Sequence, residues 1–133
     1  MNWVPWDDTL RTGHAGMDAD HGRLTELFNL LAGTVEQDQG TDACARLLDD
    51  IVEHTRAHFA QEEELMAQYH YPEREQHIAE HAMLIDQALG YRATFEADRA
   101  ASPVAVSAFP EVWLAYHILF TDKHLADFLA QNA

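Results

Sequence analysis

Two pairs of potential metal ligands stand four residues apart near the middle of this chain, His58 with Glu62 and His77 with His81. A four-residue step on an α-helix turns by about 40°, so the two members of each pair point to one side of their helix. Pro72 lies between the pairs and predicts a turn joining two antiparallel helices. Three imidazoles and one carboxylate would then face each other, a donor set that suits iron, zinc, copper or manganese better than calcium.

The hydrophobic pattern predicts that these residues lie on helices that bury one side. Apolar residues recur at alternating steps of three and four in four segments. The predicted helices span approximately residues 20–38, 42–69, 72–98 and 108–131. Asp18 or Asp20 is the candidate N-cap of the first helix, and Pro72 suits the first position of the third. Residues 1–19 show no sustained periodicity and are predicted to form an extended N-terminal arm.

The length and the helix pattern together predict a single all-α domain. The chain has 133 residues, enough for one hydrophobic core. No segment shows a convincing strand pattern, and short links join the four helices. We therefore expect residues 1–133 to form an antiparallel up-down-up-down four-helix bundle.

Each predicted helix carries polar residues on its buried side at a similar depth. Buried histidines and carboxylates are costly unless they are paired or ligated, so their convergence favours a metal site. Asp122 lies five residues after His117, about 140° round an α-helix, and would reach the centre only if its helix leaned inward. Seven ligands are too many for one metal ion and suit two. The predicted metal ligands are His21, His58, Glu62, His77, His81, His117 and Asp122.

Other residues fit simpler roles. A single His–Glu or His–His pair at four-residue spacing is usually a surface pair, and only the full set of seven argues for a metal site. Glu63 and Glu64 point progressively away from the side of His58. The histidines expected to be solvated are His14, His54, His70 and His124. Cys44 is expected to fill the core.

Composition excludes several classes of function. The formal charge of −15, from 23 acidic and 8 basic residues, would repel nucleic acid and anionic membranes. A single cysteine excludes an intrachain disulfide, a Cys-based zinc or iron–sulfur site and a c-type haem attachment. The N-terminus lacks the pattern of a signal peptide, and no apolar stretch approaches transmembrane length. We therefore expect a cytoplasmic protein that does not insert into membranes and that acts as a monomer.

With these motifs in view, the sequence resembles the hemerythrin family, specifically its single-domain bacterial members. The motifs that carry the resemblance cover nearly the whole chain. They are Asp18-x-x-His21, His58-Phe59-x-x-Glu62-Glu63-x-x-Met66, Tyr71-Pro72, His77-x-x-x-His81 and Trp113-Leu114-x-x-His117-Ile118-x-x-x-Asp122-Lys123. All seven ligand positions follow the pattern of the family.

The resemblance implies two iron ions joined by an oxo or hydroxo bridge. It implies that His77, His81 and His117 bind one iron, that His21 and His58 bind the other, and that Glu62 and Asp122 bridge them. The second iron would keep an open position for reversible O2 binding. The resemblance also places five residues in the wall of an O2 pocket that excludes water: Phe59, Leu84, Trp113, Leu114 and Ile118.

Three functions are compatible with such a site. The leading hypothesis is reversible O2 binding for transport, storage or delivery, without catalysis, with O2 passed to an unidentified oxygen-consuming partner. A di-iron enzyme, acting as an oxidase or peroxidase or on nitric oxide, is the second. It would add a positioned acid, base or substrate cleft, and the sequence assigns none. The third is an O2 or redox sensor.

Overall fold

The protein is all-α, as a computed structural model of the chain shows. The structure describes residues 11–36, 41–97 and 111–132, and no strand occurs in these ranges. Three α-helices come first: α1 (Ala15–Glu36), α2 (Thr41–Gln68) and α3 (Arg74–Ala97). The fourth rod consists of a π-helix (Glu111–Asp122) that continues into α4 (Lys123–Asn132). The predicted four-helix bundle is confirmed.

Helix α1 begins at Ala15, five residues before its predicted start, because the cap lies earlier than Asp18 or Asp20. The ring of His14 accepts a hydrogen bond from the backbone N–H of Met17 through Nδ1, at 3.2 Å. Asp18 accepts from the backbone N–H and the hydroxyl of Thr12, both at 2.8 Å. Both side chains thus anchor the segment before the first turn. The predicted arm therefore ends before Ala15, and its residues 1–10 lie outside the described part.

The turn between α2 and α3 corrects the role predicted for Pro72. His70 has a φ of 56°, the left-handed conformation that commonly ends a helix. The backbone N–H of Tyr71 donates to the carbonyl of Met66 at 3.0 Å, which closes the end of α2. Pro72 lies in the turn, and α3 starts at Arg74 rather than at residue 72. Proline is suited to this position because it cannot continue the preceding helix.

Two apolar clusters form the core, one on each side of a polar layer. The larger cluster includes Leu24, Phe28, Ile51, Leu84 and Ile118, each at most 1 % exposed. The smaller cluster consists of Met17, Met66, Tyr71, Leu125, Ala126 and Leu129. Along α1, Met17 of the smaller cluster precedes His21, and Leu24 of the larger cluster follows it. The bundle therefore holds the polar layer between two hydrophobic ends.

The register of the helices explains how the core forms. Many of the apolar residues that recur at steps of three and four along the helices are buried, including Leu31, Cys44 and Leu48. Full burial of an apolar side chain such as Leu stabilises a fold by about 1.5–3 kcal/mol.

No helix in the described part of the chain is both long and apolar enough to cross a membrane.

Candidate metal centre

All seven residues predicted as metal ligands meet in the polar layer, each with at most 3 % of its surface exposed. Helix α1 contributes one histidine, while α2, α3 and the π-helix contribute two residues each. The histidines turn their Nε2 atoms toward the centre of the layer. The layer consists of His21, His58, Glu62, His77, His81, His117 and Asp122.

Glu62 contacts histidines on both sides of its carboxylate. Its Oε1 atom lies 3.1 Å from His77 Nε2 and 3.0 Å from His81 Nε2. Its Oε2 atom lies 2.6 Å from His58 Nε2. The two oxygens of one carboxylate therefore face histidines of different helices.

Asp122 repeats this arrangement from the π-helix. Its Oδ1 atom lies 3.1 Å from His77 Nε2 and 3.0 Å from His117 Nε2. Its Oδ2 atom lies 2.8 Å from His21 Nε2. The carboxylate again divides its oxygens between two groups of histidines.

These contacts divide the layer into two halves that share both carboxylates. The three-histidine half contains His77, His81 and His117, and the two-histidine half contains His21 and His58. In each half, one atom from every histidine and from both carboxylates lies within 4.8 Å of the others. Imidazole nitrogens with carboxylate oxygens are suitable donors for iron, zinc or manganese. The layer therefore has the form of two adjacent cation sites bridged by two carboxylates.

The hydrogen bonding of the layer provides a test of whether cations fit. His58 Nε2 and Glu62 Oε2 are close, yet their geometry is not that of a hydrogen bond, and both atoms are buried without a hydrogen-bond partner in the described ranges. The same holds for His117 Nε2 and for both carboxylate oxygens of Asp122. Each such buried group costs about 1–3 kcal/mol. Bound cations would satisfy these atoms, so the residues present fit a metal pair.

The π-helix explains how His117 and Asp122 share one face. Residues five apart diverge by about 140° on an α-helix, so the sequence predicted an inward lean. Instead, residues 111–122 are π-helical. Hydrogen bonds from residue i to i+5 bring side chains five positions apart into line, and such segments occur frequently at functional sites.

Negative charge at the centre favours protonation of nearby histidines. Burial lowers the pKa of His58, but the carboxylates of Glu62, Asp122 and Asp20 together outweigh burial and raise that pKa to about 9. Burial likewise opposes protonation of His117, while the Asp122 carboxylate raises the pKa to about 10. Burial raises the pKa of Glu62, yet its three histidine contacts bring that pKa well below the usual range. In the absence of a metal, protons therefore supply the positive charge that the two carboxylates require.

His81 behaves differently from the other histidines with shifted pKa values. Burial lowers its pKa, and the charge of neighbouring His77 and His117 lowers it further, so that contact with Glu62 does not compensate. Burial also lowers the pKa of His77, but contact with both bridging carboxylates outweighs burial and leaves that pKa raised. The three-histidine half is thus not uniformly protonated.

Two carboxylates lie behind the layer, and the sequence assigned neither of them a role at the metal site. Asp20 accepts a hydrogen bond from His58 Nδ1 at 2.9 Å. Glu80 accepts one from His117 Nδ1 at 2.7 Å. Such partners orient a ligating imidazole and fix which nitrogen carries the proton. The only sequence signal was adjacency to a predicted ligand, since Asp20 precedes His21 and Glu80 precedes His81.

The apolar residues predicted around an O2 pocket are partly described. The ring of Phe59 stacks on that of His81, with centroids 3.7 Å apart and planes at 5°. Phe59 belongs to the larger apolar cluster together with Leu84 and Ile118. The side chains of Trp113 and Leu114 lie outside the described part. Three of the five predicted residues therefore lie in the larger apolar cluster, which meets the layer where Phe59 stacks on His81.

The remaining histidines lie outside the two cation sites. His54 Nε2 is 3.0 Å from the backbone carbonyl of Asp20, and the ring is half-buried rather than solvated. His14 caps α1. His70 is exposed in the turn, as expected. His124, which is 60 % exposed, pairs with Glu73 at 2.7 Å.

Comparisons with known proteins agree with this geometry. The chain matches the sequence profile described as "Hemerythrin HHE cation binding domain" over residues 12–129. It is 32% identical over 127 residues to a bacteriohemerythrin of Stenotrophomonas maltophilia, covering 96% of this chain and 82% of that protein. It is 30% identical over 134 residues to a bacteriohemerythrin of Ralstonia nicotianae, with 99% and 93% covered. A myohemerythrin of Riftia pachyptila is 30% identical over 113 residues, with 85% and 82% covered.

Proposed function

The chain belongs to the hemerythrin family, and from this membership we propose that it binds O2 reversibly at a pair of iron ions. The single observation that carries the proposal is the division of each bridging carboxylate between two groups of histidines. The two oxygens of Glu62 are directed to different halves. So are those of Asp122. One buried layer thereby offers two adjacent sites rather than one.

The residues divide between the ions as the contacts of the layer suggest. His77, His81 and His117 would hold one iron, and His21 and His58 the other. Glu62 and Asp122 would bridge them, together with an oxo or hydroxo group from solvent. The half with two histidines has fewer protein ligands and is the better candidate for an open position. When bound, the iron pair would supply the electrons that O2 takes up reversibly.

The protein's own contribution is to orient these ligands and to exclude water. Hydrogen bonds from Asp20 and Glu80 set the orientation of His58 and His117. Phe59, which is buried against His81, would help to keep water and protons away from the layer. We propose that Leu84, Trp113, Leu114 and Ile118 complete an apolar wall with Phe59.

Transport, storage or delivery of O2, without catalysis, is the role we favour over an enzyme or a sensor. General acid–base catalysis needs a group positioned to exchange a proton with a substrate. Among the described side chains beside the layer, Asp20 and Glu80 are already engaged by His58 and His117. The hydroxyl of Tyr71 donates to Glu73 at 3.3 Å. The proposal further takes residues 1–133 as one domain that acts as a monomer and passes O2 to a separate consuming partner.

Anaerobic reduction followed by titration with air and visible spectroscopy tests this function. We expect an O2-dependent spectrum that forms once per iron pair and reverses on removal of O2. The enzyme alternative predicts continuous O2 consumption in the presence of a reductant. Such turnover, or the absence of any O2-dependent spectrum in iron-loaded protein, would contradict the carrier function.

A further inference from the structure

Glu80 joins α3 to the π-helix from behind the metal layer. Its Oε1 accepts a hydrogen bond from His117 Nδ1 at 2.7 Å. The hydroxyl of Thr121 lies 2.8 Å from Oε1 and 3.0 Å from Oε2. Thr121 immediately precedes Asp122 in the chain. One carboxylate therefore contacts His117, where the five-residue step begins, and Thr121, the residue before Asp122, where it ends.

We propose that Glu80 is a positioning residue. It orients His117 and the helix segment before Asp122, so that His117 and Asp122 can both bind the metal ion of the three-histidine half. The inference rests on the proposed function, since it takes both halves of the layer to bind cations. His117 carries its proton on Nδ1 when that atom donates to Glu80, which leaves the lone pair of Nε2 for a metal. Nε2 is the atom that faces the layer, 3.0 Å from Asp122 Oδ1. Glu80 thus selects the tautomer that the site requires.

The contact with Thr121 gives Glu80 a second effect. An α-helical register would turn Asp122 away from His117, whereas the π-helix aligns them. Long π-helical runs are rare, so the segment needs support from outside its own backbone. The Thr121 hydroxyl supplies that support at the residue before the bridging carboxylate. Glu80 therefore positions a terminal ligand and a bridging ligand at once.

The position of Glu80 also distinguishes it from a buried structural group. Its side chain is 21% exposed. It borders a surface cavity of about 290 Å³, which is also lined by Tyr71, His77 and Thr121. A side chain that only filled space at the edge of this cavity would not have to be charged. Water in the cavity could satisfy the hydrogen bonds of a neutral polar side chain there.

The two-histidine half has a separate carboxylate in the same role. Asp20 of α1 accepts a hydrogen bond from His58 Nδ1 at 2.9 Å, and its side chain is 26% exposed. Asp20 and Glu80 lie on different helices and contact ligands of different halves. Substitutions at the two positions should therefore affect the two halves unequally, and comparing them separates positioning from general loss of stability.

Titration of metal-free protein with Zn²⁺, followed by NMR of nitrogen-15-labelled histidine, tests the inference. Zn²⁺ is diamagnetic, and ring-nitrogen shifts report the tautomer and ligation of each histidine. In Glu80→Ala loaded with Zn²⁺ we expect His117 no longer to be held in the Nδ1–H tautomer, and the three-histidine half to bind Zn²⁺ about 10–100-fold more weakly. Glu80→Gln retains a neutral acceptor and should recover part of the affinity.

Three further variants make the experiment selective. Asp20→Asn should affect the signal of His58 more than that of His117. Thr121→Val should leave the His117 tautomer fixed but weaken Zn²⁺ binding to the three-histidine half. Glu75→Gln changes an exposed glutamate on the same helix and should behave as wild type. Far-UV circular dichroism checks folding, and if Glu80→Ala does not fold, Glu80→Gln and Thr121→Val decide the question through the same signals.

The outcomes separate this inference from the proposed function. Wild-type protein that binds two Zn²⁺ ions, with Glu80 variants that keep both affinities and the His117 tautomer, would overturn only the role of Glu80. Equal weakening of both halves in Glu80→Gln would also overturn it, since that result indicates a general structural effect. Wild-type protein that binds neither two Zn²⁺ ions nor two iron ions would overturn both proposals.

Discussion

His117 and Asp122 stand five residues apart in the sequence, and yet His117 Nε2 lies 3.0 Å from Asp122 Oδ1. The π-helix from Glu111 to Asp122 makes this contact possible, because it aligns side chains at that spacing. The contact brings a terminal ligand candidate and a bridging ligand candidate from one helix into the same layer. The rest of the layer comes from α-helices, where four-residue steps achieve the same result.

Three consecutive glutamates on α2 provide a test of the layer at single-residue resolution. Glu62 is 1% exposed and central, whereas Glu64 is exposed. Glu62→Gln should weaken or abolish binding of the iron pair, because it removes charge between two cations. Glu64→Gln should be close to silent, since exposed charges contribute little. Iron content per chain and the ferric charge-transfer bands measure both effects.

Glu63 is the intermediate case in the same series. Its Oε2 atom lies 3.6 Å from His81 Nδ1, too far for a hydrogen bond, and its side chain is 34% exposed. Glu63→Gln should therefore leave both irons in place. A Glu63→Gln protein without iron, beside a fully loaded Glu62→Gln protein, would show that the register of α2 around the site is wrong.

Removal of the metal should make stability depend on pH in the alkaline range. Folding raises the pKa of His58 from about 6.5 to about 9 and that of His117 from about 6.5 to about 10. Protonation of these two histidines therefore stabilises the metal-free fold, and the stabilisation is complete at a pH below about 6.5. That stabilisation is lost as the pH rises toward 10. The lowered pKa values of Glu62 and Asp122 act at the other end, where stability is lost as the pH falls below about 4.

Urea unfolding of chelated protein at pH 7 and pH 9.5 measures this effect. The midpoint should fall at the higher pH, while protein loaded with Zn²⁺ should change less because metal ions replace the protons. The lowered pKa of His81 opposes the trend, but only near its unfolded value. A metal-free protein that gains stability between pH 7 and pH 9.5 would contradict the charge arrangement of the layer.

Phe59 should control how long bound O2 is retained rather than whether iron binds. Its ring is 3% exposed and lies flat against His81. Phe59→Leu keeps an apolar side chain but removes the stacked ring, so water should reach the layer more easily. We expect normal iron content and faster loss of the O2-dependent spectrum. Leu89→Ala, which alters a residue that is 40% exposed on α3, is the control. Equal decay rates in the two variants would contradict the role of Phe59.

The register of α1 predicts a large contrast between two of its residues. Phe28 is fully buried in the larger apolar cluster, whereas Leu30 is 53% exposed. Phe28→Ala should lower the free energy of unfolding by about 3–5 kcal/mol. Leu30→Ala should change it by less than about 0.5 kcal/mol, as expected for a surface position. Chemical denaturation of both variants measures the difference, and similar losses would contradict the orientation of α1.

Helical periodicity explains why much of the layer was predictable from the sequence. His58 and Glu62 share a face on any regular α-helix, and so do His77 and His81. The neighbouring apolar residues indicated that this face is the buried one. The sequence therefore predicted correctly that these seven side chains meet in one layer. That they bind iron stays a prediction.

Local deviations and contacts between helices were less predictable. Nothing in residues 111–122 distinguishes a π-helix from an α-helix by composition, because the difference lies in backbone hydrogen bonding. The partners of Asp20 and Glu80 lie 38 and 37 residues away along the chain. Such contacts depend on how neighbouring helices are rotated. The early start of α1 likewise depends on the cap formed by His14, a residue type that is not a usual N-cap.

Iron analysis of protein produced in iron-sufficient medium tests the central claim most directly. The two halves of the layer predict about two iron atoms per chain, because each half offers its own histidines and shares both carboxylates. The helices should be intact by circular dichroism in the same sample. A single zinc ion per chain, or no metal in a fully helical protein, would contradict the di-iron centre.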